Sequence, residues 1–320
     1  MIWNKHGLIE RETLEGFSHA SHPTAVHISE NRYLLAYCGR NQEQHSHIFL
    51  RTFLIIDGKI VLNDDTTLAL SPGLPGSFDS HGVLSCNFVY DGPKLYLYYC
   101  GWLNIAGGMW HCDTGRATIN FDTLTAEREF FGPILGRRAD IPFFAVATTV
   151  IKEESRWLAW YNRGLCWKKD QGKWEAVYGI HFACSNDGVN WDCGKELVIP
   201  FKDQYEHSFG RPTVINFLNY YLMWFSARGA ANDPLYKIGF AVSPDGQNWS
   251  RLDDLSGITP SNAGWDDQSV CYPFVFEYKN VFYMLFNGNQ YGLTGFGYAT
   301  MEKSALKTLL EQNLSEFRAQ

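Results

Sequence analysis

Hydrophobic and polar positions along this chain fall into a pattern that returns about every sixty residues. In its fourth occurrence, Arg211-Pro212-Thr213-Val214-Ile215 is followed by a short polar turn and then Tyr220-Tyr221-Leu222-Met223-Trp224-Phe225. In the fifth, Tyr272-Pro273-Phe274-Val275-Phe276 precedes a turn at Lys279-Asn280 and the run Val281-Phe282-Tyr283-Met284-Leu285-Phe286. Three earlier copies are looser. Pro23-Thr24-Ala25-Val26 leads to Tyr33-Leu34-Leu35-Ala36-Tyr37, and Asn87-Phe88-Val89-Tyr90 to Leu95-Tyr96-Leu97-Tyr98-Tyr99. Thr148-Thr149-Val150-Ile151 leads to Trp157-Leu158-Ala159-Trp160-Tyr161. Each copy is a pair of β-branched and aromatic runs split by turn formers, which predicts a hairpin.

Two copies continue alike. Ile180-His181-Phe182-Ala183-Cys184-Ser185 runs into Asn186-Asp187-Gly188-Val189-Asn190-Trp191, and Ile238-Gly239-Phe240-Ala241-Val242-Ser243 into Pro244-Asp245-Gly246-Gln247-Asn248-Trp249. This predicts a third strand, an Asp-Gly turn that supplies positive φ, and an aromatic opening a fourth strand. Five units of about 64 residues fill the 320 residues and predict an all-β fold: a five-bladed β-propeller of four-stranded blades in a single domain, 1–320. The fifth unit runs out of strand after Tyr298-Ala299, so residues 1–12, with Ile2 to Ile9 as the strand, are expected to close the ring and hide the sheet edges. Leu306, Leu309, Leu310, Leu314 and Phe317 lie at helical spacing and predict a C-terminal amphipathic helix over 302–318. It could pack on the propeller or form a homodimer contact with a second subunit.

Composition narrows the function classes. With 45% hydrophobic and 16% aromatic residues a sizeable stacked core can be buried, while a net charge of -7 without a basic run argues against nucleic acid and anionic membrane as partners. No apolar stretch approaches a membrane span, and Met1-Ile2-Trp3-Asn4-Lys5-His6 does not read as a signal sequence. Eight cysteines without C-x-x-C spacing read as buried free thiols of a cytoplasmic protein, with no metal and no cofactor expected.

Candidate chemistry is concentrated just ahead of each repeated Pro-x-Val. His22, Arg211 and Tyr272 share the position before the proline, His81 and His207 match each other, and Asp79 matches Asp266. Glu206, Asp267 and Asp140 stand in the same stretches. Such groups at the inner end of a first strand need a partner, a metal or a substrate. A ring of carboxylates, imidazoles, an arginine and aromatics suits carbohydrate, with Trp102 offering a flat face to a sugar ring. Glu206 is expected as general acid, with Asp79 and Asp267 as base or nucleophile. His22, His81, Asp140, His207, Arg211, Asp266, Tyr272 and Trp102 are expected to bind substrate. Paired His81 and His207 could instead position a water or a metal. The Ser-Asn-Asp-Gly and Ser-Pro-Asp-Gly turns resemble sialidase-type Asp boxes and are read as structural.

The phrases Glu206-His207-Ser208-Phe209-Gly210-Arg211-Pro212 and Tyr272-Pro273, with Met284-Leu285-Phe286-Asn287-Gly288-Asn289 after the latter, resemble family-43-like propellers. These lie within the superfamily of arabinanases, β-xylosidases, invertases and levansucrases. The resemblance implies a glycosidase acting on an oligo- or polysaccharide by carboxylate acid/base catalysis at the central cavity. That superfamily places an Asp in the first blade, an Asp in the second and a Glu in the third. Here the first stretch has Ser18, His19 and His22 instead, and the acids fall in the second, fourth and fifth units. The alternatives are a transglycosidase, or a propeller that binds a glycan or sugar nucleotide without cleaving it.

Overall fold

A computed structural model of the chain describes residues 3–11, 14–170, 172–229 and 235–317, with side chains up to residue 313. The first strand is β1 (Asn4–Glu10). There follow β2 (Ser18–Ser29), β3 (Arg32–Arg40), β4 (Ser46–Ile56) and β5 (Lys59–Leu70), then β6 (Gly82–Asp91), β7 (Lys94–Asn104), β8 (Trp110–Asn120) and β9 (Thr125–Arg128). Next come β10 (Ala145–Lys152), β11 (Trp157–Asp170), β12 (Lys173–Ser185) and β13 (Trp191–Cys193), and β14 (Ser208–Phe217), β15 (Tyr220–Arg228), β16 (Lys237–Ser243) and β17 (Ser250–Arg251). The chain ends with β18 (Cys271–Tyr278), β19 (Val281–Asn287), β20 (Phe296–Glu302) and the helix α1 (Lys303–Phe317).

Antiparallel pairing groups consecutive strands in fours, β2 to β5, β6 to β9, β10 to β13 and β14 to β17, while β18 to β20 take β1 as their outer strand. That last pairing runs from Asn4 opposite Thr300 to Glu10 opposite Phe296, joining the two ends of the chain as the sequence predicts. The predicted start at Ile2 lies outside the described residues. The second strands β3, β7, β11, β15 and β19 are buried on both faces, because each sheet is stacked between two others. This is why those stretches read as continuous aromatic runs rather than as an alternation. Trp160, Trp224, Tyr37, Tyr99 and Tyr161 are fully buried there.

The first strands are tied to one another in a closed circuit. Ser85 Oγ donates to His22 O (2.6 Å), Val150 N to Asn87 Oδ1 (2.7 Å), Thr149 Oγ1 to Pro212 O (2.6 Å) and Val275 N to Thr213 Oγ1 (3.1 Å). The circuit returns to its start through the second strand of the last sheet, where Asn287 Oδ1 on β19 accepts from His22 N (3.1 Å).

The Asp-Gly turns belong to this stacking. Asp187 and Asp245 each cap two backbone N–H groups of their own turn at 2.8 Å, which holds both carboxyls below the usual range. Gly188 O accepts Tyr98 OH and Gly246 O accepts Trp160 Nε1, so each turn docks on the preceding sheet. Helix α1 buries Leu306 and Leu310 against Trp3, Trp224, Phe282 and Met301 of its own chain. The side chains of Leu314 and Phe317 lie outside the described residues. No helix among the described residues is long and apolar enough to cross a membrane.

Candidate functional site

Strand pairing slips at one equivalent register in every first strand. The slips fall between Ser21 and Thr24, Ser85 and Asn87, Ala147 and Thr149, Gly210 and Thr213, and Cys271 and Phe274. A bulge leaves residues unpaired and re-aims a side chain. Here it picks out His22, Cys86, Thr148, Arg211 and Tyr272, and all five line one cavity of about 120 Å³ where the sheets meet. In the three copies where a proline follows, the bulged residue has positive φ: 52° at His22, 42° at Arg211 and 55° at Tyr272. Left-handed backbone at a non-glycine residue costs about 1–3 kcal/mol. Its freed N–H is captured by a polar side chain on the second strand of the preceding sheet. His22 N donates to Asn287 Oδ1 (3.1 Å), Arg211 N to Asn162 Oδ1 (3.1 Å) and Tyr272 N to Ser226 Oγ (2.7 Å).

Arg211 is 4% exposed. Its guanidinium donates to Tyr272 O (3.2 Å), His22 O (3.1 Å), Pro23 O (2.8 Å) and Cys86 O (3.4 Å), reaching three other first strands. Burial pushes its pKa down to about 10. His22 stacks on Tyr272 with ring centroids 4.4 Å apart, and burial together with the Arg211 charge holds its imidazole neutral. The remaining wall is Leu84, Ser85, Cys100, Trp110, Cys112, Phe144, Val146, Asn162, Tyr178 and Gly210. A Cβ on Gly210 would lie 3.2 Å from the Tyr272 ring, so glycine admits that ring. Beside the cavity, Tyr236 lies 5.5 Å and Tyr291 6.4 Å from Tyr272, and the Tyr236 and Tyr178 hydroxyls are hydrogen-bonded. Arg228 stands 5.3 Å over Tyr236 and pairs with Glu175 at 2.8 Å.

His22, Arg211 and Tyr272 are therefore brought together as the sequence predicts. The expected carboxylates are not among the residues lining this cavity. Glu206 accepts both Arg251 guanidinium nitrogens (2.7 and 2.8 Å) and the Lys202 N–H (2.6 Å). Asp79 accepts from Arg128 Nε (2.8 Å), Tyr99 OH (3.2 Å) and Ser77 Oγ (2.8 Å). Asp266 accepts from Lys5 Nζ (2.5 Å) and Ser261 Oγ (3.1 Å). All three acids are buried, and all three cations lie on the outer strand of the acid's own sheet: β17, β9 and β1. The matching acids are thus a repeated clasp between the first-strand approach and the outer strand. A Cβ on Gly101 would sit 2.4 Å from the Asp79 Cβ, so the clasp also needs glycine behind it.

The other expected residues have separate settings. Asp267 is exposed and accepts from Asn289 Nδ2 (2.7 Å). Asp140 pairs with Arg138 at 2.8 Å, and Trp102 Nε1 donates to Ser46 Oγ (2.7 Å). His81 meets the His45 ring edge-on at 5.1 Å, whereas His207 Nδ1 bonds Tyr205 O at 2.9 Å. Among the described residues no group of three His, Cys, Asp or Glu side chains is placed to hold a metal.

Sequence reading missed Cys86 and Thr148, whose copies carry no proline to mark the bulge, and Asn162, whose part is visible only across sheets. It also missed Asp113, which is 4% exposed with Oδ1 unpartnered. Burial raises its carboxyl to about 6. Its sequence signal was weak, an acid next to Cys112 in a strand of mixed polarity.

This architecture and chemistry can be set beside known proteins. No protein-family profile matches the chain. It is 32% identical over 306 residues to the uncharacterized protein Rv1502 of Mycobacterium tuberculosis H37Rv, covering 94% of this chain and 100% of that protein. The chain belongs to the family of this protein. The uncharacterized protein MT1551 of M. tuberculosis CDC 1551 matches with the same identity and coverage. Among solved structures, a glycoside hydrolase superposes with a TM-score of 0.73 at 17% identity, over 94% of this chain and 93% of that one. A thermostable family-43 glycoside hydrolase gives 0.62 at 12% identity, over 92% of each. The chain thus shares its fold with these glycoside hydrolase structures.

Proposed function

We propose that the closed circuit of sheets is a single-domain five-bladed propeller that engages a saccharide at its axial cavity, and that recognition lies with His22, Arg211, Tyr272 and Thr148. The observation that carries this reading is the common register. Five bulged residues, one per blade, meet at one cavity, and the three with positive φ have their N–H groups held by dedicated hydrogen bonds. Strained backbone persists where the surroundings over-determine it, commonly at functional sites. The flanking Tyr236 and Tyr291 offer flat faces beside hydrogen-bonding groups, as a sugar ring requires.

Acid/base cleavage of a glycosidic bond needs two carboxyl groups about 5–9.5 Å apart across the bond. Glu206, Asp79 and Asp266 sit in three different blades, each neutralised by its own cation, which favours binding over cleavage by these groups. Hydrolysis is the second reading, suggested by the glycosidase fold; Asp113 lies outside the cavity lining, but its carboxyl, raised to about 6, suits proton donation at neutral pH. A screen of chromogenic furanosides and pyranosides with wild type, Glu206→Gln and Asp113→Asn separates the two. Binding without turnover supports the first reading. Turnover lost in Asp113→Asn but kept in Glu206→Gln supports the second, and turnover lost in Glu206→Gln would restore the clasp acid as catalyst.

A further inference from the structure

We propose that the axial cavity is an anion site, holding a carboxylate or phosphate group carried on the bound saccharide against the Arg211 guanidinium. The inference rests on the saccharide reading above and adds the charge of the ligand. Arg211 is buried among the bulged residues, and its guanidinium donates to four backbone carbonyls. Carbonyl dipoles satisfy the N–H donors but leave a full positive charge in place. Among the described residues Arg211 forms no ion pair, and no aspartate or glutamate lines the cavity. A buried charge without a counter-charge is expensive, and proteins keep one where a ligand supplies the opposite sign.

The surrounding groups suit an oxyanion. His22 and Tyr272 stack at the cavity wall, which Thr148 and Tyr178 also line, the first hydroxyl donating to Trp160 O (3.4 Å) and the second bonded to the Tyr236 hydroxyl. Arg228, paired with Glu175, lies beside Tyr236 outside the cavity lining, with its Nε buried and unpartnered. Leu84, Phe144 and Val146 make part of the wall apolar, and such low-dielectric surroundings strengthen a charge pair. A neutral sugar would use the hydroxyls and leave the charge unmatched. A carboxylate or phosphate would use both.

The test is calorimetric titration of wild type with D-glucuronate and D-galacturonate, with their methyl esters, with glucose 6-phosphate, with glucose, and with inorganic phosphate and acetate alone. Esterification removes the charge and little else. The expected result is at least about tenfold tighter binding of a charged sugar than of its neutral counterpart, the ordinary worth of a charge-assisted hydrogen bond. Whether the uronates or the sugar phosphate show it identifies the anion. Arg211→Lys should keep the preference, and Arg211→Gln should abolish it. Because Arg211 ties several strands, the glutamine variant may be replaced by the wild-type ester comparison, which needs no variant at all. Equal affinity for charged and esterified sugars would overturn the anion inference while leaving the saccharide reading intact. Free phosphate or acetate binding as tightly as any sugar would overturn the proposal that the anion is carried on a saccharide. Absence of binding to every probe would overturn both readings.

Discussion

Arg251 closes on Glu206 with both guanidinium nitrogens, at 2.7 and 2.8 Å, from the outer strand of the same sheet. Two further sheets repeat the arrangement, with Arg128 on Asp79 and Lys5 on Asp266. Glu206, Asp79 and Asp266, expected from the sequence as catalytic or substrate-binding acids, are each closed on a cation of the outer strand. Removing one partner of a buried pair typically costs about 3–5 kcal/mol. Arg251 retains Asp253 as a second partner, so Glu206→Gln is expected to lose somewhat less, on the order of 1–3 kcal/mol. Urea unfolding of Glu206→Gln, Arg251→Met and the double variant should show a coupling energy of that size. Additive losses would mean that the two residues act separately.

The captured N–H groups give a second expectation. Asn162→Leu would remove the acceptor of the Arg211 N–H and leave a buried donor unmatched, at about 1–3 kcal/mol. The same substitution at Asn287 would free the His22 N–H. Both variants should lose saccharide affinity by relaxing the bulge, even though neither removes a bulged side chain. Unchanged affinity together with the stability loss would separate the bulge geometry from recognition.

Acidification should weaken the fold. His19 and His181 are lowered to about 4, mainly by burial, and His6, His22, His47, His111 and His207 are lowered as well. As pH falls below the ordinary 6.5, the unfolded chain takes up these protons first, so stability drops between pH 6.5 and 4. Asp113 works in the opposite sense. Its raised carboxyl favours the protonated form in the folded state, so stability from this group is lost as pH rises from about 4 to 6. Asp113→Asn should therefore gain on the order of 1–2 kcal/mol at pH 7 and widen the difference between pH 7 and pH 5. Denaturation midpoints at the two pH values, for wild type, Asp113→Asn and His181→Phe, check both signs.

Helix α1 supplies a further expectation. Leu306 and Leu310 are almost wholly buried against Trp3 and Trp224 of the same chain. Leu310→Ala should cost about 2–5 kcal/mol in a monomer-concentration-independent manner. A midpoint that shifts with protein concentration would instead show that the helix helps hold a second copy.

The strand plan was legible because stacking each sheet between two others forces both faces of its second strand to be apolar. Tyr220 to Phe225 and Val281 to Phe286 carry that demand openly. The join of β1 to β20 was legible for the complementary reason that the last unit lacked a strand. At the site, the residue before each proline could be read because proline fixes the backbone that follows the bulge. Cys86 and Thr148 could not, since their bulges form without it. The roles of Glu206, Asp79 and Asp266 were hidden because their cations lie 45, 49 and 261 positions away in sequence. An acid's partner, not its position in a repeat, decides whether it is free to do chemistry.

The central claim is that ligand recognition belongs to the axial ring and not to the clasp acids. It is tested most directly by measuring saccharide affinity, with any turnover, for wild type, His22→Ala and Glu206→Gln on the same charged and neutral glycans. The account predicts that His22→Ala weakens binding by about tenfold or more while Glu206→Gln, at a temperature where it remains folded, stays within about twofold. Loss of binding or turnover in Glu206→Gln with His22→Ala unaffected would contradict it.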